Sequence, residues 1–293
     1  MNLFLAAIYT NQYRWGQKQY THFNDRERQV VDNIPHILES YHYVGKQRYV
    51  DEMRASGAKV FLDSGAFSAK SLGIDISVDE YCEYIHRNRD IIRIEDGVLM
   101  ASVLDGIGDP LLTYQNQIYM ERKGAKPLPC FHFGEDERYL EWYVANYPYS
   151  TIGGMVRTSA EDVMQWLDRI WDRYMLDGAG RPRLKVHAFG VTTISLMERY
   201  PWHSVDSSSW IQAASFGSIY TVEHGPIAIS SRSPSRHDMG RHLSTLTAVE
   251  REQVERELVS EGFEHERLSE VYQSRAAYNM LGYMKLNVQL NDH

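Results

Sequence analysis

Val60-Phe61-Leu62-Asp63-Ser64-Gly65-Ala66-Phe67 is the stretch that decides how the chain is read. Three apolar residues run into an acid, a serine and a glycine, which is how a buried strand ends in a tight turn. The same grammar recurs outward from it. Ala101-Ser102-Val103-Leu104 runs into Asp105, Thr151-Ile152 into Gly153 and Gly154, and Ser204-Val205 into Asp206. Eight β-rich runs emerge, at 3–9, 59–63, 99–105, 128–133, 150–153, 184–190, 204–206 and 227–230. Amphipathic stretches lie between them, as at 161–174, where Val163, Trp166, Leu167 and Ile170 fall at helical spacing. Alternation of this kind predicts an α/β fold with a parallel sheet, and eight units predict a closed (β/α)8 TIM barrel.

Helix signals fit this frame. Ser77 with Glu80 and Thr158 with Glu161 are capping-box patterns, and Asp177-Gly178 with Gly180 ends the helix that follows Thr158. Residues 247–284, rich in Glu, Arg and Leu, read as two helices split near Gly262. The expectation is one domain over 1–293, with a C-terminal helical extension at about 247–290 packed on the outside of the barrel.

Composition narrows the class. The chain has 293 residues, 43% hydrophobic and 24% charged, enough to bury a sizeable core. A net charge of −8 excludes a protein that coats nucleic acid nonspecifically, since such coating rests on cations replacing counterions. A nucleic-acid contact must therefore be local. The best basic cluster is Arg232, Arg236, His237, Arg241 and His242, a set that reads equally as a solvated loop. Cys82 and Cys130 are too few for a disulfide framework or a cysteine-based zinc site, so no metal is expected. The apolar start at 3–8 is too short to span a bilayer, and the expected location is cytoplasmic, away from membranes.

In a parallel barrel the strand ends and following loops carry the chemistry. Asp63, Asp105 and Asp206 converge on that rim with the Gly153-Gly154 pair. A carboxylate pair suits chemistry at a sugar's anomeric carbon, one attacking while the other moves a proton. Glycoside hydrolases and nucleic-acid base exchangers share that requirement, and the pair alone leaves both open.

The local words resemble one family. Asp63-Ser64-Gly65-Ala66-Phe67 resembles the Asp-Ser-Gly-Gly-Phe/Tyr segment of tRNA-guanine transglycosylases, and Val205-Asp206-Ser207-Ser208-Ser209-Trp210 resembles their archaeal Phe-Asp-Ser-Ala-x-Tyr segment. Ile152-Gly153-Gly154-Met155 is similar to the base-binding strand end, and His187-Ala188-Phe189-Gly190-Val191 to the Leu-Met-Gly-Val-Gly segment. Asp105, followed by Pro110 and Thr113, resembles the Asp-Glu-Cys segment. All five occur in the family's order, over about residues 59–210.

The resemblance implies a pentosyltransferase with Asp206 as nucleophile and Asp63 as general acid and base. Asp105 would read the purine, Phe67 and Phe189 would flank it, and Ser64, Gly153, Gly154, Met155 and Gly190 would line its pocket. His132 stands where the family places a glutamine and reads either as a base contact or as a structural histidine. No cofactor is implied. The family's three-cysteine zinc site has no counterpart after Asp206, and no residues remain for the archaeal RNA-binding domains. Both departures resemble the zinc-less branch, known from phages and bacterial modification islands, that inserts 7-deazaguanines into DNA. The expected partners are therefore DNA and a free 7-deazaguanine base such as preQ0, in a bacterial or phage-infected cell. Arg232, Arg236 and Arg241 would contact phosphates, and a homodimer or an accessory protein stays open. The alternatives are a tRNA enzyme without its zinc module, a nucleoside or glycoside hydrolase using Asp63 and Asp206 with water, and a non-catalytic barrel subunit.

Overall fold

Asn-Leu-Phe-Leu-Ala opens the chain as a strand because its apolar residues can be buried on both sheet faces, the usual fate of parallel strands. The structure is a computed structural model and describes residues 1–10, 20–156, 158–233 and 241–291. Two compact units divide it, the first Met1–Thr10 with His36–Ser207, the second Asn11–Pro35 with Ser208–His293.

The strands are β1 (Asn2–Ala6), β2 (Ile37–Ser40), β3 (Val60–Asp63), β4 (Ile94–Glu95), β5 (Val98–Leu99), β6 (Cys130–His132), β7 (Tyr149–Gly153), β8 (Lys185–Ala188), β9 (Ser204–Ser207), β10 (Ser218–Thr221) and β11 (Gly225–Ala228). In the first unit a seven-stranded sheet has the order β3-β2-β1-β9-β8-β7-β6, with every pairing parallel. Helices intervene between successive strands, among them Ala66–Ser71 and Val78–Arg87 after β3, Pro110–Arg122 before β6 and Ala160–Ile170 after β7. Beyond the short β4–β5 hairpin, parallel bridges join Leu62 to Ala101 and Ser102 to Leu128. The segment around 100–103 thereby runs from Leu62 in β3 to Leu128, two residues before β6, with Ser102 N–H donating to Leu62 O at 2.9 Å and Leu128 N–H to Ala101 O at 2.7 Å.

One expectation fails here. The run at 227–230 does not join the parallel sheet; β11 pairs antiparallel with β10 in the second unit. The strand of the parallel sheet that the sequence did not reveal is β2, between β1 and β3. Its Ile-Leu-Glu-Ser sequence carries a charge at its third position, yet Glu39 is fully buried and accepts the Tyr9 N–H at 2.7 Å. Caps are closer to expectation. Ser77 accepts the Glu80 N–H, whereas the next expected cap sits one residue later, at Ser159.

The second unit is built on the helix Tyr272–Gln289. Asn279, buried at its middle, accepts from Tyr220 N–H and donates to Trp210 O and Ser218 O. The C-terminal stretch forms three helices rather than two, Ala248–Ser260, His265–Glu270 and Tyr272–Gln289, with Gly262 at φ +76° making the first break. Among the described residues no helix is long and apolar enough to cross a membrane.

Candidate active site

Side chains alternate along a strand, so the residue two after a core residue shares its face. Phe4, Leu38, Phe61, Met100, Leu128 and Tyr149 pack in one buried cluster. Counting two onward from Leu38, Phe61, Met100 and Leu128 gives Ser40, Asp63, Ser102 and Cys130, so polar groups follow the apolar layer at the carboxyl ends of the strands. Rings form the floor beneath them. His187 lies 4.5 Å from Phe61 and 4.7 Å from Phe189 between ring centroids.

Asp63 ends β3. Its Oδ2 accepts the Gly65 N–H at 3.0 Å, and its Oδ1 faces the Ser102 hydroxyl at 3.4 Å. Ser102 in turn accepts the Ser64 N–H at 3.0 Å, which fixes the turn. Gly65 sits at φ +76°, and a Cβ there would lie 2.3 Å from Ser40 Oγ and 2.5 Å from His42 Cβ, so only glycine fits. Burial and the negative charges of Asp105 and Asp206 push the Asp63 carboxyl up to about 7.

Asp206 lies in β9 and is 8% exposed. Its Oδ1 accepts the Gly190 N–H at 2.8 Å, which Gly190 can present because it turns at φ +67°. His187 Nε2 stands 3.4 Å from the same oxygen, while its Nδ1 and the Tyr149 hydroxyl each share a 2.8 Å hydrogen bond with Ser204 Oγ. Burial holds the His187 pKa below the usual value, so a neutral ring backs the carboxylate.

Asp105 follows the 100–103 segment and borders a cavity of about 540 Å³ lined by Ala66, Lys70, Ile74, Leu104 and Asn116 among others. Its Oδ2 is 3.7 Å from His132 Nε2, and its buried Oδ1 has no hydrogen-bond partner. His132 is braced from behind, with Nδ1 3.0 Å from Glu135 Oε1 and its own N–H donating to Glu135 Oε2 at 2.9 Å. Cys130 Sγ is 3.5 Å from His132 Nε2. Burial and the Asp105 charge push the Cys130 thiol up to about 11. Burial opposes an imidazolium at His132, but the Cys130 sulfur and Asp105 outweigh it and hold its pKa well above the usual value.

The structure thus couples Asp63 to Asp105 and Asp206 electrostatically, sets His132 beside Asp105, and pairs Gly153 in register with His132. Gly154 turns at φ +76° next to His132, Met155 is half-buried, and Phe189 is half-buried on the aromatic floor. Ser64 is fully buried, and its hydroxyl faces the Ala66 N–H at 3.4 Å, within its own turn. Phe67 is 51% exposed and adds nothing to that floor. Arg232 and Arg241 are exposed and belong to the second unit, whereas Arg236 lies outside the described residues. Sequence reasoning gave no role to Ser102, Cys130, Glu135, Tyr149, His187 or Ser204. An inward polar residue in an otherwise apolar strand, as at His187, was the available signal. No protein-family model matches the chain, and no curated protein matches it.

Proposed function

We propose that this chain is a guanine transglycosylase that exchanges guanine in DNA for a 7-deazaguanine base through a covalent aspartyl-glycosyl intermediate. The observation that carries this reading is the set of carboxylates at the strand ends, Asp63 held by the Gly65 N–H and Asp206 by the Gly190 N–H, with burial and the charges of Asp105 and Asp206 raising the Asp63 carboxyl to about 7. A group poised there can give a proton to a leaving base and take one from its replacement near neutrality. Asp206, held by the Gly190 N–H, is the nucleophile. Its attack on C1′ breaks the bond to guanine as Asp63 protonates that base. The incoming base then gives Asp63 a proton and displaces Asp206. Three carboxylates also favour the positive charge that develops on the sugar as the glycosidic bond breaks.

Asp105, which borders the cavity, suits the ring N–H and amino group of a purine. Phe189, on the aromatic floor, is placed to support its flat face. The reading includes a closed (β/α)8 barrel, supported by the parallel bridges Leu62 to Ala101 and Ser102 to Leu128, with 100–103 as the eighth strand. The glycosidic bond energy is kept in the covalent intermediate, so the exchange requires no cofactor. DNA is preferred to tRNA because no cysteine follows Asp206 to build the zinc module of the tRNA enzymes.

The test is incubation of the protein with labelled guanine and either duplex DNA or tRNA, with Asp206→Asn as control. Label in DNA, lost in the variant, and a DNA adduct on the parent protein are expected. Label in tRNA alone overturns the DNA assignment, and free sugar without base incorporation replaces exchange by hydrolysis.

A further inference from the structure

Cys130 has no part in the chemistry above, although it is fully buried beside two residues that face the rim. Alternation along β6 puts Cys130 and His132 on one face. Asp105 comes from the neighbouring segment, which bridges to Leu128 through Ser102. The three ligand atoms lie within 4.8 Å of one another. We infer that Asp105, Cys130 and His132 form a binding site for a single zinc ion, with a fourth position left for water or a ligand. This inference does not rest on the transglycosylase reading.

Three observations lead there. The Cys130 Sγ to His132 Nε2 separation is 3.5 Å and the His132 Nε2 to Asp105 Oδ2 separation is 3.7 Å. Zinc bonds of about 2.0–2.3 Å at tetrahedral angles place ligand atoms about 3.3–3.6 Å apart, close to both. A direct charge-assisted hydrogen bond from His132 to Asp105 would close to about 2.7–2.9 Å, and 3.7 Å is too long for one. Second, the Asp105 side chain is only 8% exposed and its Oδ1 meets no donor, so one oxygen of a buried carboxylate is left unsatisfied beside the His132 pair. Third, His132 Nδ1 is engaged by Glu135, the outer-shell arrangement that turns Nε2 toward a metal. A Cβ at Gly153 would lie 3.1 Å from His132 Cδ2, so the glycine leaves the imidazole its room.

Charge balances around such an ion. A divalent cation matches the Cys130 thiolate and the Asp105 carboxylate. Binding releases the thiol proton to solvent, together with any proton on His132 Nε2, so uptake is tighter at higher pH.

The experiment uses the full chain stripped of metal with a chelator and titrated separately with Zn²⁺ and Co²⁺. One equivalent bound, with a thiolate-to-cobalt charge-transfer band, is expected. Cys130→Ser should abolish the band, His132→Ala should lose stoichiometric retention, and Cys82→Ser should change neither. Glu135→Gln should weaken zinc binding about 10–100-fold. The inference is overturned if the parent takes up neither metal, or if uptake survives Cys130→Ser combined with His132→Ala. Circular dichroism on each variant separates lost ligation from lost fold, and the parent titration decides the matter if a variant does not fold. The Asp206 adduct, assayed on metal-free protein, succeeds or fails independently.

Discussion

Replacing Asp63 with Asn should make the protein more stable at alkaline pH while stopping its chemistry. The Asp63 carboxyl is raised from 3.8 to about 7 in the folded protein. A folded pKa above the unfolded one means that the native state holds the extra proton between those values. The parent therefore loses stability as pH rises from about 4 through 7. At about 1.4 kcal/mol per unit, the full loss is about 4 kcal/mol, an upper figure for a partly exposed group. Asn escapes it because it does not titrate. Its amide can still accept the Gly65 N–H, but its NH₂ then faces Ser102, whose hydroxyl must turn away from Asp63. That rearrangement costs about 1 kcal/mol at every pH and cancels when two pH values are compared. The assay is urea unfolding of parent and variant at pH 4 and pH 8, followed by tryptophan fluorescence. The variant should gain 2–4 kcal/mol, roughly, on the parent between them. A stability difference that stays flat from pH 4 to pH 8 would refute the burial and charge coupling assigned to this carboxyl.

Glu39→Gln tests the same physics away from the rim. Burial raises Glu39 from 4.5 to about 8, so the parent loses up to about 5 kcal/mol as pH rises through that interval, and the variant should be the more stable at pH 9 but not at pH 5. Thermal denaturation at both values checks this, and a parent that is more stable at pH 9 contradicts it. Asp105→Asn removes one of the charges that raise Asp63, so the Asp63 pKa, read by carbon NMR of labelled aspartate, should fall. A value unchanged or higher breaks the link between them. Gly65→Ala forces a side chain into a left-handed turn and onto Ser40 and His42, and should cost at least about 2 kcal/mol in unfolding experiments. A loss below about 0.5 kcal/mol would mean that the turn is drawn wrongly.

The strand ends were legible because each joins a β-branched or aromatic run to an acid or glycine. Asp63, Asp105 and Asp206 were found by that junction alone. β2 was not, because Glu39 makes a polar pattern out of a buried strand, and only the folded chain supplies the Tyr9 N–H that accommodates it. The run at 227–230 was misplaced for the opposite reason. An apolar strand of four residues looks the same whether its partner is parallel or antiparallel, and residue pairing over long separations is absent from local pattern. Cys130 was set aside by counting cysteines. Counting cannot show that β6 puts a histidine on the same face, or that a neighbouring segment brings Asp105 within ligand distance.

Asp105 ties the two readings of this rim together. Its charge is one of the causes that lift Asp63 to about 7, and its Oδ1 has no hydrogen-bond partner. A divalent ion bound through Oδ2 would offset that charge, and the Asp63 pKa would then fall toward the ordinary carboxylate range. Asp63 would give up its proton at lower pH and become a weaker base for the returning one. A purine bound against Asp105 would act in the opposite sense, since it would exclude water and raise the cost of a charge on Asp63. If both proposals hold, the Asp63 carboxyl would respond to what binds at its neighbour. Ser102, whose hydroxyl faces Asp63 Oδ1, lies three residues before Asp105, so one short segment links the two carboxylates.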